Sequence, residues 1–136
     1  MIVNATLNEL DKIISKIKKS DKNIVLLQGD LASGKTTLVK KFVKSIGLSD
    51  DVTSPTFSIM NIYGDGKVYH YDIYGNGIEK FLENGLMENL EEDGYHFVEW
   101  ADEKFEKILK DYGFSFLKIK IVSKGTKKRE YIFYEA

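Results

Sequence analysis

Cysteine is absent from this chain of 136 residues, and arginine, proline and tryptophan occur once each, as Arg129, Pro55 and Trp100. The missing thiols exclude disulfides, thiolate metal sites, iron–sulfur ligation and a cysteine nucleophile, and agree with a reducing compartment. The scarcity of arginine matters as much, because 19 of the 20 basic side chains are lysine. A planar cation able to grip a phosphate through two parallel hydrogen bonds has one source here. That argues against arginine-rich nucleic-acid recognition and against enzymes that clamp a transferring phosphate with several arginines. No run approaches the ~18 apolar residues of a membrane-spanning helix, and the first residues lack the basic-then-apolar pattern of a secretion signal. The expectation is a cytoplasmic protein.

With 43% apolar and 12% aromatic residues, the chain can bury the core of one domain spanning residues 1–136. Its net charge of −1 averages unlike parts. Residues 1–48 carry 9 basic and 4 acidic side chains, residues 49–106 carry 3 and 14, and residues 107–136 carry 8 and 3. A basic and an acidic face follow if folding keeps these segments apart, serving either solubility or a partner surface.

Thr6-Leu7-Asn8-Glu9 has capping-box spacing, and Leu7, Leu10, Ile13, Ile14 and Ile17 continue it at helical intervals to about Lys18. Ile24 to Leu27 is a short continuous apolar run, the pattern of a strand buried on both faces, and it stops at Gly29. Leu38, Val39, Phe42, Val43 and Ile46 form a second helical stripe ended by Gly47. Phe57–Tyr63 and Val68–Tyr74 flank Gly64-Asp65-Gly66 as a hairpin. Next come a short helix around Ile78, Phe81 and Leu82, a Leu86-Met87-Leu90 cluster and a buried strand Tyr95–Val98. A helix over Ala101–Tyr112 and a hairpin of Phe116–Val122 with Glu130–Tyr134 complete the chain. Strands alternating with helices predict an α/β fold with a mainly parallel central sheet and antiparallel hairpin additions.

Gly29-Asp30-Leu31-Ala32-Ser33-Gly34-Lys35-Thr36 fits the phosphate-binding pattern G-x-x-x-x-G-K-[ST]. It leaves an apolar strand and opens a helix, which aims successive backbone N–H groups and the positive helix end at one anionic point. In such a loop Lys35 reaches the β- and γ-phosphates and the Thr36 hydroxyl binds Mg²⁺. A magnesium site also needs an acid at the end of a neighbouring strand, and two are available, Glu99 after Tyr95–Val98 and Asp72 within Val68–Tyr74. Either carboxylate holds the metal, directly or through water, or orients the attacking water; an acid at a strand end is otherwise simply solvated. His70 reads as a ligand, a base or a structural residue. Thr53-Ser54-Pro55-Thr56-Phe57 reads as a loop that senses the γ-phosphate or as an ordinary proline-stiffened turn. Trp100 reads as a packing residue.

Gly29 to Thr37, Ser54-Pro55-Thr56-Phe57, His70-Tyr71-Asp72-Ile73-Tyr74 and Val98-Glu99-Trp100, in this order, resemble the bacterial TsaE family over most of the chain. That family consists of P-loop ATPases of tRNA threonylcarbamoyladenosine synthesis and shows G-D-L-G-A-G-K-T-T, S-P-T-[FY], H-x-D-x-Y-R and [IV]-E-W. The resemblance implies a P-loop NTPase-like three-layer sandwich that binds ATP and Mg²⁺ and works with the partner proteins TsaB and TsaD. Those partners attach the threonylcarbamoyl group to the adenosine beside the tRNA anticodon, with ATP hydrolysis resetting or regulating the complex rather than forming the product bond. It implies that residues 29–37, including Thr37, cradle the nucleotide, that Thr36 and Glu99 bind the metal, and that Asp72 is the catalytic or water-orienting acid close to it. Lys35, Asp72 and Glu99 are then the catalytic group, Thr56 sits in a switch loop, and Trp100 supports the Glu99 turn. Thr6 and Arg129 match positions where the family places a threonine and an arginine at the nucleotide.

Two positions depart from the family pattern. Ala32 replaces a glycine within the loop, so that position does not require positive φ. Gly75 stands where the family has arginine, which leaves Arg129 as the one guanidinium in the chain available to ATP. Two other readings compete, a nucleotide-sensing binding module without turnover and a small-molecule P-loop kinase, the latter disfavoured by the single arginine. Direct tRNA contact lacks support, since no basic run exceeds Lys127-Lys128-Arg129.

Overall fold

The computed structural model describes residues 1–30, 33–53, 55, 59–75, 77–125 and 127–135. Among them, seven strands form one mixed sheet in the order β1-β7-β6-β2-β5-β4-β3. The strands are β1 (Ile2–Thr6), β2 (Ile24–Gln28), β3 (Met60–Tyr63), β4 (Val68–Asp72), β5 (Tyr95–Glu99), β6 (Leu117–Lys124) and β7 (Lys128–Glu135). Strands β6, β2, β5 and β4 run parallel to their neighbours in the middle. The β6–β7, β7–β1 and β4–β3 pairs at the two sides are antiparallel. The helices are α1 (Asp11–Lys19), α2 (Lys35–Ser45), α3 (Gly77–Glu83), α4 (Leu86–Asn89) and α5 (Glu103–Asp111).

Strand β2 shows why its sequence is apolar throughout. Successive side chains point to opposite faces of a sheet, and here both faces are covered. Val25 and Leu27 pack with Ile13, Ile17, Leu38 and Phe42 of α1 and α2. Ile24 and Leu26 pack with Phe81, Leu86, Phe105 and Leu109 of α3, α4 and α5. The α2 stripe of Leu38, Val39, Phe42 and Val43 is wholly buried, each side chain contributing about 1.5–3 kcal/mol.

The same layering distributes the charges unevenly. The lysines of α1 and α2 (Lys12, Lys18, Lys19, Lys40, Lys41 and Lys44) are exposed on one side of the sheet, whereas the helices of the other side expose acids (Glu79, Glu83, Glu88 and Glu103) interspersed with Lys80, Lys104, Lys107 and Lys110, so the separation is partial. No helix among the described residues is long and apolar enough to cross a membrane.

Several boundaries differ from the sequence expectation for identifiable reasons. Residues 2–6 form an edge strand rather than a lead into the helix, because their partner is β7, more than a hundred residues away in the chain. Thr6 does act as a cap, its backbone N–H donating to Glu9 Oε1 at 3.0 Å, which with Lys12 lowers the Glu9 pKa to about 2. The turn it opens is 3₁₀, with the α-helix starting at Asp11. Strand β3 starts only at Met60, since Ile59 has φ 63°, outside the extended region. Helix α5 begins after Asp102, whose carboxylate accepts from Phe105 N at 2.9 Å as an N-cap.

Candidate functional site

Parallel strands bring their carboxyl ends to one edge, the position where open α/β sheets bind ligands. At this edge β2 ends at Gln28 and runs into Gly29, β5 ends at Glu99 and β4 ends at Asp72. Leu27 is in register with Glu99, and Asp72 with Glu99, so Glu99 stands beside the segment that leaves β2 and Asp72 one strand further along the same edge.

Two glycines shape that segment. Gly29 has φ 154°, and a Cβ there would lie 2.6 Å from Ser33 Oγ and 2.8 Å from the Ile121 carbonyl. Gly34 is the N-cap of α2 at φ 104°, a left-handed conformation that a side chain would strain. The first intrahelical bond described runs from Leu38 N to Gly34 O at 3.0 Å. The N–H groups of Lys35, Thr36 and Thr37 therefore lead the helix without intrahelical partners and present a site for an anion.

Lys35 is buried, 5% exposed, and its ammonium bridges the loop by donating to Gly29 O at 2.7 Å, Asp30 O at 2.9 Å and Ser33 Oγ at 3.5 Å. It also sits 3.9 Å from the centre of the Trp100 ring, a cation–π contact. Burial lowers the Lys35 pKa, opposed by the nearby carboxylates of Glu99, Asp72 and Asp30. One residue on, Thr36 Oγ1 donates to Glu99 Oε2 at 2.8 Å. Asp72 Oδ1 accepts from Tyr74 N at 3.0 Å, the Asx-type bond that ends β4 and turns the chain away.

The profile of the family described as Threonylcarbamoyl adenosine biosynthesis protein TsaE matches residues 4–131. The chain belongs to the TsaE family. The tRNA threonylcarbamoyladenosine biosynthesis protein TsaE of Bacillus subtilis (strain 168) is 36% identical over 113 residues, covering 82% of this chain and 68% of that relative. The protein of the same description from Treponema pallidum (strain Nichols) is 37% identical over 82 residues, 59% of this chain and 61% of the relative. The match therefore spans less than two thirds of the Treponema protein's length. Among solved structures, the crystal structure of Bacillus subtilis YdiB matches with a TM-score of 0.70 and 28% identity, covering 100% of this chain and 84% of that one.

Within this TsaE chain the fold brings together Gly29, Asp30, Ser33, Gly34, Lys35, Thr36, Asp72 and Glu99. Thr37 opens outward on the first turn of α2. Arg129 reaches the same corner from β7: a Cβ on Gly34 would lie 3.4 Å from its Nε. Thr6 is one register step from Arg129 at the end of β1, since Ala5 pairs with Arg129 and Thr6 with Lys128. Leu31, Ala32 and Thr56 lie outside the described residues, as do Ser54 and Phe57. Gly75 has φ 68° with open space around its Cβ position, a turn conformation in which glycine is unstrained and a side chain would be strained.

Two features went unread in the sequence. Trp100 touches Lys35 as well as packing on Tyr74, with φ 66° at the turn that follows β5. His70, fully buried, places Nε2 against Glu99 Oε2 and Nδ1 3.3 Å from the Tyr63 hydroxyl. The alternation of His70 and Asp72 along β4 puts both on one face, a signal available in the sequence, but the partner across the sheet was not.

Proposed function

We propose that this TsaE-family chain is a Mg²⁺-dependent ATPase of tRNA threonylcarbamoyladenosine formation, acting in the cytoplasm with TsaB and TsaD. The observation that carries the reading is the hydrogen bond from Thr36 to Glu99 at the mouth of a glycine-shaped loop, with Lys35 folded across that loop. The helices on both faces of the sheet then correspond to the layers of a P-loop NTPase sandwich. In it the backbone N–H groups at the start of α2 receive the phosphates, and the Lys35 ammonium exchanges the Gly29 and Asp30 carbonyls for phosphate oxygens. A cavity of about 400 Å³ lined by Gly29, Asp30, Ser33 and Lys120–Ser123 opens on the β6 side of the loop, the side opposite Glu99.

The residues fit a magnesium ion that takes most of its ligands from phosphate and water. Among the described residues no cluster of three His, Asp or Glu side chains forms an all-protein metal cage, and Mg²⁺ is ordinarily held by one or two protein groups plus substrate phosphates. Thr36 and Glu99 would hold it, with Asp72 alongside; it would neutralise charge developing on the phosphates. This chain's own residues do the rest. Asp72, 5% exposed at the end of β4, would orient water toward the γ-phosphate in this reading. Trp100 covers the Lys35 ammonium and narrows water access to it. Arg129 adds the one guanidinium within reach of the loop.

The test is phosphate release from ATP by the purified chain, alone and with TsaB and TsaD homologues, in Mg²⁺ and in EDTA. The expected result is slow metal-dependent turnover that partners accelerate, abolished in Lys35→Ala. Equal turnover by wild type and Lys35→Ala would overturn it. Partner association that responds equally to ATP and a non-hydrolysable analogue, with no turnover, would favour a nucleotide-sensing module instead.

A further inference from the structure

We infer that His70 is a positioning residue for Glu99 and that Tyr63 braces it, an assignment that rests on the metal-dependent ATPase reading. The geometry runs through four groups. Glu99 receives both of its hydrogen bonds from described residues on one oxygen, Oε2, from Thr36 Oγ1 and His70 Nε2. Oε1 makes none among the described residues, which leaves it as the face turned toward metal-bound water. A carboxylate held on one oxygen from two directions cannot rotate about its last bond without breaking both contacts, and this fixes where the other oxygen points.

His70 is itself fixed. Its side chain is 0% exposed and that of Glu99 4%, so water does not compete for their contact. On the far side of the ring, Nδ1 lies 3.3 Å from the Tyr63 hydroxyl, which also lies 3.3 Å from the Thr53 carbonyl and accepts from Asn61 Nδ2 at 3.4 Å. The imidazole is thus pinned at both nitrogens and cannot flip. With Nε2–H given to the carboxylate, the single Tyr63 hydroxyl proton faces two acceptors, His70 Nδ1 and Thr53 O. His70 is too deep to touch a nucleotide, so the role is not catalytic. Partners that orient a metal-binding group in this way typically change metal affinity or activity by about 10–100-fold when removed.

Two measurements test the assignment. The first compares ATP affinity with and without Mg²⁺, and kcat against KM, in wild type, His70→Phe, His70→Gln and Tyr63→Phe. His70→Phe is expected to keep the metal-free affinity within about 2-fold while kcat and the metal-dependent gain fall about 10-fold or more. His70→Gln, which keeps an N–H near the Nε2 position, recovers part of the loss, and Tyr63→Phe shows a smaller loss of the same kind. The second needs no nucleotide: the stability coupling between Thr36→Val and Glu99→Gln, read from urea midpoints, is expected to shrink in a His70→Gln background. Absence of any metal-dependent gain in wild type defeats the ATPase reading, and the coupling then decides on His70 by itself. An unchanged Thr36–Glu99 coupling, or a His70→Phe protein that keeps its metal dependence and kcat, overturns the assignment.

Discussion

Thr36 on the first turn of α2 gives its hydroxyl proton to Glu99 at the end of β5, 63 positions later in the chain, at 2.8 Å. This bond joins the start of α2 to the neighbouring strand and sets a hydroxyl and a carboxylate at one point. Glu99→Gln keeps the shape and an acceptor for Thr36 but removes the negative charge. Turnover is expected to fall by roughly 10²-fold or more, with ATP affinity changed far less. Phosphate-release kinetics beside calorimetric titration of ATP separates the two.

Lys35 rests 3.9 Å over the ring of Trp100, the chain's single tryptophan. If phosphate draws the ammonium off the loop carbonyls, the ring loses or changes its cation, and tryptophan emission reports binding directly. Titration with ATP is expected to shift Trp100 fluorescence in wild type and leave it unmoved in Lys35→Ala. The lost charge-assisted contact, about 1.5–3 kcal/mol, weakens ATP binding by about 10–100-fold.

Gly34 and Gly47 both have positive φ, 104° and 83°, but only Gly34 has a neighbour, with Arg129 Nε 3.4 Å from where a Cβ would stand. Alanine at Gly47 carries the backbone cost alone, about 1 kcal/mol of stability, and leaves ATP affinity unchanged. Alanine at Gly34 carries that cost and also presses on Arg129, so ATP affinity falls as well. Arg129→Lys, which keeps the charge but loses the planar fork, is expected to lower ATP affinity in the same assay. Wild-type affinity in both Gly34→Ala and Arg129→Lys would remove Arg129 from the site.

His96 is buried with Nδ1 2.7 Å from the Tyr71 hydroxyl and Nε2 2.9 Å from the Glu92 carbonyl. A neutral imidazole satisfies both, accepting at Nδ1 and donating at Nε2. Burial lowers its pKa, opposed by the Glu92 carbonyl bond and the Glu92 charge. Below the ordinary histidine value the unfolded chain therefore binds more protons than the folded one, and stability falls as the pH drops from that value toward the lowered one. Above the ordinary value the contribution is constant. Urea unfolding of wild type and His96→Phe at pH 5 to 8 is expected to show a less stable variant with a flatter acid limb.

The sequence alone carried much of what is local. The pattern from Gly29 to Thr36 was legible because its glycines, lysine and threonine stand at fixed offsets within a few residues of one another. Strand β2 was legible because a short, continuously apolar run ending at a glycine suits a strand covered on both faces. Capping at Thr6 and the turn at Gly64–Gly66 likewise depend on neighbours within a few residues. The sequence also supplied Glu99 and Asp72 as candidates, since each follows or ends a hydrophobic strand.

Only the tertiary structure decided what meets what. The β1 edge, the register of Asp72 with Glu99, the approach of Arg129 to Gly34, and the contact of His70 with Glu99 each depend on pairing between segments far apart in the chain. Periodicity reports which face a side chain takes and says nothing of the strand beside it. The sheet order makes that choice, and with it turns a buried histidine of undecided purpose into the partner of a site carboxylate.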